Sequence, residues 1–552
     1  MNHKLITIAY VKATLRKMGV SNNDSPSWAK IIKNKNNLIK ENHKKNFKNK
    51  KILIATSTGG NKFATHFESL VSLALFIKGY DIEFLLCDGA LKACLQAEFG
   101  QISKNELIKN DMKKLCKSCF SEGFNAMKGL GFKINYYSDF IIKEDKKFIL
   151  EKIDLLKFNE VREYEVDKIK IGLHSHANLL RFLAAGDAKE SKSNNIILKK
   201  FLYSSYITKF VIERILNSKK FYKLFFHHAI YVPQGIIADI TKKHGIDFFC
   251  WSQTNKNRSI EFAKNNNNIT KHIFDKDFKW LDKKLSKNEE KEIYAEFNKK
   301  KNSKNSDWIN YVDDNEKNNE LKDFLKKNEI ENKSNNVCLF TNLIWDAEVL
   351  YPNDIFSSMS NWVYETIKYF QKRTELNLII RVHPAELKAA FRSVDTVKNF
   401  LDKNFNNLGS NIFIINADSP INSYKLADYC SLNLVYSSRV SYELSAMGHN
   451  VLLAGSAFVR NKKVTIDPVD KDEYFELLNK FPNNFPLMSD IRKENALKYA
   501  YYYLNEHSIE IQSFKENGNK WPPFDISKNL IQDLIHNKDA GISKIINKIE
   551  SN

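Results

Sequence analysis

The chain is poor in the residues that punctuate or staple a fold: 18 Gly, 10 Pro and seven Cys in 552 residues. That little glycine and proline excludes a collagen-like repeat. An odd, scattered set of cysteines argues against a secreted disulfide framework. Long apolar runs are missing as well. The strongest, such as Leu70 to Ile77, fall far below the ~20 residues that a membrane span needs. The start, Met1-Asn2-His3-Lys4, leads into a short amphipathic segment and a Lys/Asn-rich tract. It has no apolar core of signal-peptide length before a small-residue cleavage site. These absences point to a soluble cytoplasmic protein. Acidic residues are also short against basic ones, leaving a net charge of +21. Such an excess suits a polyanionic partner: nucleic acid, anionic lipid or phosphorylated substrate. A compositional bias competes with that reading, since Lys and Asn abound everywhere, as in Lys48-Asn49-Lys50-Lys51 and Asn265-Asn266-Asn267-Asn268. No RNA- or DNA-binding module is recognisable, so no specific nucleic-acid partner is expected.

What is present is globular: 43% hydrophobic and 12% aromatic residues, enough for a sizeable core. At roughly 100–200 residues per domain, two to four domains follow. Residues 1–49 read as a basic lead-in. From Lys51 a strand (Ile52–Ala55), a Gly-containing turn (Thr56–Gly60), a helix from about His66 to Lys78, and a second strand (Ile82–Leu86) open a βαβ pattern with a parallel sheet. Further units follow: Gly131–Ile134 as helix end into strand, a strand at Ala229–Val232, a helix from Gly235 to Lys243 and a strand at Gly245–Trp251. This first α/β half spans 50–275. Residues 276–335 are highly charged and read as exposed bridging helices, with few core-type residues beyond Trp308, Ile309 and Tyr311. A second α/β half, 336–490, has strands at Val337–Phe340, Leu376–Val382, Ile412–Ile415, Leu432–Tyr436 and Val451–Ala454. Ser419 is expected to cap a short helix. Residues 491–552 read as a mostly helical segment, broken at Trp521-Pro522-Pro523, that packs across both halves. The fold class is α/β: two Rossmann-like doubly wound domains facing across a cleft, with a helical linker and C-terminal helices. Ligands bind such sheets beyond the carboxyl ends of the strands.

Several residue groups sit at those places. Gly59 and Gly60, after the first strand, would let a backbone approach a ligand, with a helix N-terminus behind them. The surrounding string has no G-x-G-x-x-G and no P-loop Lys, so neither a dinucleotide nor an ATP site is indicated. Arg381-Val382-His383-Pro384-Ala385-Glu386 follows another strand. Arg381 carries fixed charge, His383 can donate to a phosphate or sugar oxygen, and Pro384 sets the turn into a helix. Ser437 and Ser438 pair two hydroxyls with a helix start, a phosphate cradle or a plain N-cap. Glu443, one turn in, could accept from a ribose. No Asp-x-Asp string stands in a comparable place to hold Mg²⁺, so protein donors are expected to meet the phosphate charge, without metal. Asp88, before Gly89 at a strand end, is a candidate general base. Cys87, Cys94, Cys116 and Cys119 read as buried free thiols, or as a zinc set of unusual spacing. Trp345, in Trp345-Asp346-Ala347, and Trp362 are candidates for stacking or for core.

Together these strings resemble the capsule polysaccharide biosynthesis proteins, the Kdo-transferase-like group of GT-B glycosyltransferases. The resemblance rests on Cys87-Asp88-Gly89, Cys94, Cys116-x-x-Cys119, Trp345-Asp346-Ala347, Arg381–Glu386, Ser423-Tyr424-x-Leu426-Ala427-Asp428, Val435–Ser438, Glu443 and Gly448. It covers about 50–480 and is stronger in the second half. It implies a transferase moving a CMP-linked sugar, Kdo- or sialic-acid-like, to a surface polysaccharide or lipid-linked glycan. In such enzymes a His-Pro motif and a Ser-rich motif hold the nucleotide part, matched here by His383-Pro384 and Ser437-Ser438, with Tyr424 and Glu443 orienting it. A carboxylate-Gly motif supplies the base. Asp88-Gly89 matches it loosely, because Cys87 stands where a second acid is usual. No cofactor beyond the nucleotide sugar is implied. Peripheral contact with anionic lipid at the inner face of the cytoplasmic membrane would suit the basic surface. Alternatives are a UDP-sugar 2-epimerase or a CDP-glycerol-type polyol-phosphate transferase of the same fold, and a non-catalytic component of a capsule assembly complex.

Overall fold

The computed structural model describes residues 25–97, 102–265, 278–302, 319–331, 333–345, 355–388, 393–457, 459–517 and 524–551. Ile52, Leu53, Ile54 and Ala55 are sealed from solvent, as a parallel strand covered on both faces requires. They belong to β1 (Lys51–Ser57), followed by β2 (Asp81–Leu86), β3 (Lys133–Tyr136), β4 (Lys223–His227), β5 (Asp247–Gln253) and β6 (Ser259–Lys264). The second unit holds β7 (Asn336–Phe340), β8 (Asn377–Arg381), β9 (Ile412–Ile415), β10 (Leu432–Val435) and β11 (Val451–Leu453); β12 (Ile509–Glu510) comes last. The first sheet runs β12-β6-β5-β4-β1-β2-β3 and the second β11-β10-β7-β8-β9. Strands β1 to β5 pair in parallel, whereas β6 and β12 join antiparallel. The second sheet is parallel throughout.

The two sheets share one plan. Each grows outward from its first strand in one direction, then returns to the other side of that strand. The chain therefore forms two Rossmann-like α/β units. Their ligand crevices are expected at the carboxyl ends, between β1 and β4 and between β7 and β10. In the second sheet, Val337 and Leu339 pack on one face, Cys338 and Phe340 on the other, the period of two that a strand imposes. In the first unit the helix Lys62–Ile77 is buried at every residue except Phe76. It lies between the sheet and the C-terminal helices Leu530–Ile535 and Ala540–Glu550, which explains its apolar character all round. Asn61 starts it, its side-chain oxygen accepting from the Ala64 N–H at 3.1 Å.

Several expectations need correction. The strand placed at Ala229–Val232 lies instead at Lys223–His227. Phe225 and Phe226 carry the strand, and a buried Lys223 hides its start. The charged bridge is not simply exposed. Trp280, Ile293, Phe297, Leu321, Leu325 and Ile330 enter the second unit's core. Ile293, Phe297 and Lys300 recur at helical spacing along Lys287–Lys301. Trp308, Ile309 and Tyr311 lie outside the described residues. The short helix expected after Ser419 is Ser423–Ala427, capped by Asn422. The C-terminal segment packs on both units. Tyr499 and Tyr503 join the second unit's core, whereas Ile509, Ile545 and Ile549 join the first. The break at Trp521-Pro522-Pro523 lies outside the described residues. Among the described residues no helix is long and apolar enough to cross a membrane.

Candidate functional site

The second sheet's register brings the sequence candidates into one row. Val435, Phe340 and Arg381 are paired neighbours across β10, β7 and β8. Two residues further on, the same three strands deliver Ser437, Asn342 and His383. Adjacent strands lie ~4.8 Å apart, so the Val435 and Arg381 backbones, where the row leaves the sheet, stand roughly 10 Å from each other. The loop between them is tied to both. The His383 N–H donates to Thr341 Oγ1 at 3.0 Å, and the Ser437 N–H donates to Asn342 Oδ1 at 3.5 Å. The row spans the crevice between β7 and β10.

His383 is a neutral donor. Burial and the cations Arg381 and Arg439 push its pKa down to about 4. Its Nδ1 accepts from the Ala385 N–H at 3.1 Å, which puts the ring proton on Nε2. Arg381 acts from below. It is 3% exposed, and its guanidinium donates to the Asn416 and Ser419 carbonyls at 2.6 and 3.3 Å. Burial lowers it only to about 10, so it stays a cation at neutral pH. Glu386 also points inward. One carboxylate oxygen accepts from the Val397 N–H at 2.9 Å, and burial lifts the acid to about 7. It thereby fastens the turn at Pro384 to the helix Val397–Asn404.

At the other end of the row, Ser438 Oγ accepts from the Val440 N–H at 3.3 Å, and its carbonyl accepts from Ser441 Oγ at 2.7 Å. These bonds start the helix Val440–Ala446. Arg439 precedes it and reaches the first unit. With its amide oxygen turned to the guanidinium, Asn255 accepts from Arg439 Nε and Nη1 at 2.8 and 2.7 Å. Glu443 is placed beneath the turn. It is 2% exposed, with Lys300 Nζ at 2.6 Å and the Tyr424 hydroxyl donating to it at 2.7 Å. Burial works against its charge, but Lys300 and Arg439 outweigh that and hold the carboxyl below the usual range. Glu443 and Tyr424 thus brace the serine turn, with the carboxylate facing Lys300 rather than the row.

The first unit's candidates are spread along its edge. Gly59 and Gly60 make close approaches to protein. A Cβ on Gly59 would stand 2.3 Å from the Cys119 carbonyl, and one on Gly60 would stand 2.1 Å from Gln96 Oε1. The helix Lys113–Leu130 uses the room expected for a ligand. Asp88 is half-buried and caps the turn after β3, accepting from the Ser138 N–H at 3.3 Å and from its hydroxyl. Cys87, Cys94 and Cys119 are buried, Cys116 is partly so, and all are free thiols. Burial pushes Cys87, Cys94 and Cys116 up. Among the described residues no group of three or more His, Cys, Asp or Glu is placed to hold a metal ion. Trp345 is buried and donates to Ser393 Oγ at 2.8 Å; Asp346 and Ala347 lie outside the described residues. Trp362 is sealed in the core against the Tyr474 hydroxyl at 2.9 Å.

Sequence reading missed the contacts that join the units. Arg181 donates to the Tyr231 hydroxyl at 3.2 Å and lies over the Trp345 ring at 5.9 Å. It also missed His227 and His228 at the end of β4. The misplaced strand hid them, since the doublet directly after Phe225-Phe226 is the mark of a strand end.

No family model and no curated relative matches the sequence. Solved structures resemble it at a distance. A beta-Kdo 2,7 transferase, KpsC of Thermosulfurimonas dismutans, is 10% identical with a TM-score of 0.32, covering 60% of this chain and 90% of its own. A UDP-forming trehalose-phosphate synthase of Burkholderia vietnamiensis is 8% identical with a TM-score of 0.32, covering 83% and 96%. The UDP co-structure of S. aureus MnaA is 10% identical with a TM-score of 0.24, covering 83% and 97%. Such distant likenesses say nothing of this chain's substrate, which has to be argued from its own side chains.

Proposed function

We propose that the chain is a glycosyltransferase whose second unit holds a nucleotide-activated sugar, CMP-linked in the reading the His-Pro and Ser-Ser strings favour. The observation that carries this is the row itself. A neutral imidazole donor, two hydroxyls and a helix start flank one crevice, with Arg381 behind and Arg439 beside them. This arrangement supplies hydrogen bonds and positive field to a phosphate as its charge grows on leaving the sugar. Arg439 and Arg181 make contacts between the two units, so closure over a donor would exclude water and limit its hydrolysis. The acceptor, a surface polysaccharide or lipid-linked glycan, enters from the first unit. A carboxylate there, with Asp88 as the sequence candidate, or another group takes its proton. The basic surface suits an acceptor carried on anionic lipid.

The test is a thermal-shift titration with CMP, UDP, GDP and CDP, followed by turnover of the matching sugars by the wild type and His383→Ala. The reading expects one nucleotide to stabilise the wild type, by about 2.7 kcal/mol at a hundredfold excess over Kd. It also expects the variant to lose most donor consumption. Donor binding and consumption unchanged in His383→Ala overturns the assignment.

A further inference from the structure

Near the carboxyl ends of β1 and β4 the first unit holds buried polar atoms that the fold does not use. Gln234 is fully buried. Its Nε2 donates to the Thr56 carbonyl at 2.9 Å, which fixes the amide and leaves Oε1 without a partner. Asn178 is 1% exposed. Its Nδ2 donates to the His174 carbonyl at 2.8 Å, and its Oδ1 is likewise unpartnered. Nδ1 of His228 is the third. The three belong to one neighbourhood. His174, one helical turn before Asn178, bonds the Ile230 carbonyl through Nδ1 at 2.6 Å. A Cβ on Gly235 would stand 2.3 Å from that ring. The His228 ring meets the Tyr231 ring edge-on at 5.6 Å. A buried acceptor left unmade is costly, and native folds carry few of them. The two amide oxygens are acceptors, and Nδ1 of His228 is one when the ring proton sits on Nε2, so a ligand bearing hydroxyl donors satisfies them where an anion would not.

Their position fits the reaction proposed above. Strand β4 lies between β1 and β5. Asn255, just beyond β5, meets Arg439, and Tyr231, just beyond β4, meets Arg181, which lies over Trp345. One flank of His228 therefore touches the second unit directly, at Arg439, and the other reaches it through Arg181. Asp88 follows β2, on the far side of β1, and its carboxylate already caps Ser138.

Resting on the glycosyl-transfer reading, we propose that the crevice between β1 and β4 receives a hydroxyl-rich acceptor. Gln234 and Asn178 accept from its hydroxyls, and Nδ1 of His228 takes the proton of the reacting one. In that step the acceptor O–H bond breaks and its proton goes to Nδ1. The freed oxygen pair forms the bond to the anomeric carbon. The bond from that carbon to the phosphate oxygen breaks, and its electron pair leaves with the nucleotide, met by His383 Nε2–H and Arg439. Burial, His227 and Arg181 hold the His228 ring well below the usual histidine range, so it offers a lone pair at neutral pH.

Two measurements test this. In the wild type, the ¹⁵N resonance of His228 Nδ1 is followed on adding a methyl glycoside alone, with no donor. A shift of several ppm, absent in Gln234→Leu, is expected; an unmoved resonance overturns the crevice as the acceptor site. In parallel, His228→Ala and Asp88→Asn are assayed for transfer from the nucleotide sugar that the wild type uses to the same glycoside. His228→Ala should lose about 10²–10⁴-fold in transfer with donor binding kept. Normal transfer by His228→Ala, with Asp88→Asn inactive, overturns the role of His228. A wild type that binds no nucleotide sugar would instead sink the donor reading, while the glycoside titration still decides the crevice.

Discussion

The two units share the order of their five parallel strands and differ in the chemistry at their edges. The second presents cations, hydroxyls and a donor imidazole. The first presents buried acceptors and a pair of neutral histidines. The difference reaches down to what braces each edge. Beneath the serine turn of the second unit lies an ion pair, Lys300 with Glu443, sealed from water. Beneath β1 of the first lies a lone acid, Glu68, 2% exposed, accepting from the Thr56 hydroxyl and from Trp251 Nε1 at 2.9 Å. With no cation to offset it, burial lifts the acid to about 8. One edge is braced by an ion pair and the other by an uncharged acid, which suits gripping an anion at one and receiving a neutral alcohol at the other.

The largest expected effect breaks the charged brace. Lys300→Met leaves Glu443 buried and unpaired, and should cost about 3–5 kcal/mol in denaturant unfolding. Adding Glu443→Gln should recover most of it. If the single variant is as stable as the wild type, the ion pair does not support that edge. Next comes the row. Removing one preorganised donor by His383→Ala should lower donor turnover about 10²–10³-fold with the melting temperature unchanged. Equal losses in the His383 variant and in variants of the first unit's core would mean that the contrast between the edges is not functional.

A smaller effect lies in the glycine turn. Gly59→Ala puts a methyl 2.3 Å from the Cys119 carbonyl, and should destabilise by about 1–3 kcal/mol without changing donor affinity. A loss of affinity at full stability would return Gly59 to the ligand. The smallest is pH dependence from Glu68. Its folded pKa, about 8, lies above the unfolded value of about 4.3. The native state therefore holds the extra proton, and stability falls as pH rises between those values. The slope is at most ~1.4 kcal/mol per pH unit. Glu68→Gln should flatten that decline, which unfolding curves from pH 5 to 8 would show.

Much of the fold was legible because buried parallel strands announce themselves. Ile412–Ile415 was placed as it stands, and Leu432–Val435 and Asn377–Arg381 fell within a residue or so. The strand β4 was not, since its apolar residues begin with a lysine and end with histidines, which composition reads as loop. The charged linker misled for a related reason: its core residues are a thin stripe in a sea of Lys and Glu. At the site, residue types showed which strand ends carry chemistry, but not direction. Arg381, Glu386 and Glu443 turn inward, and only the packing of Asn416, Val397 and Lys300 around them reveals it. The crevice of the first unit was illegible, because its defining property is unmade hydrogen bonds.

The most direct measurement is a crystal structure with the stabilising nucleotide bound. The account predicts its phosphate between His383 Nε2 and the Ser437–Ser438 turn, within hydrogen-bond distance of both. A nucleotide bound elsewhere, or a phosphate touching neither, would contradict it.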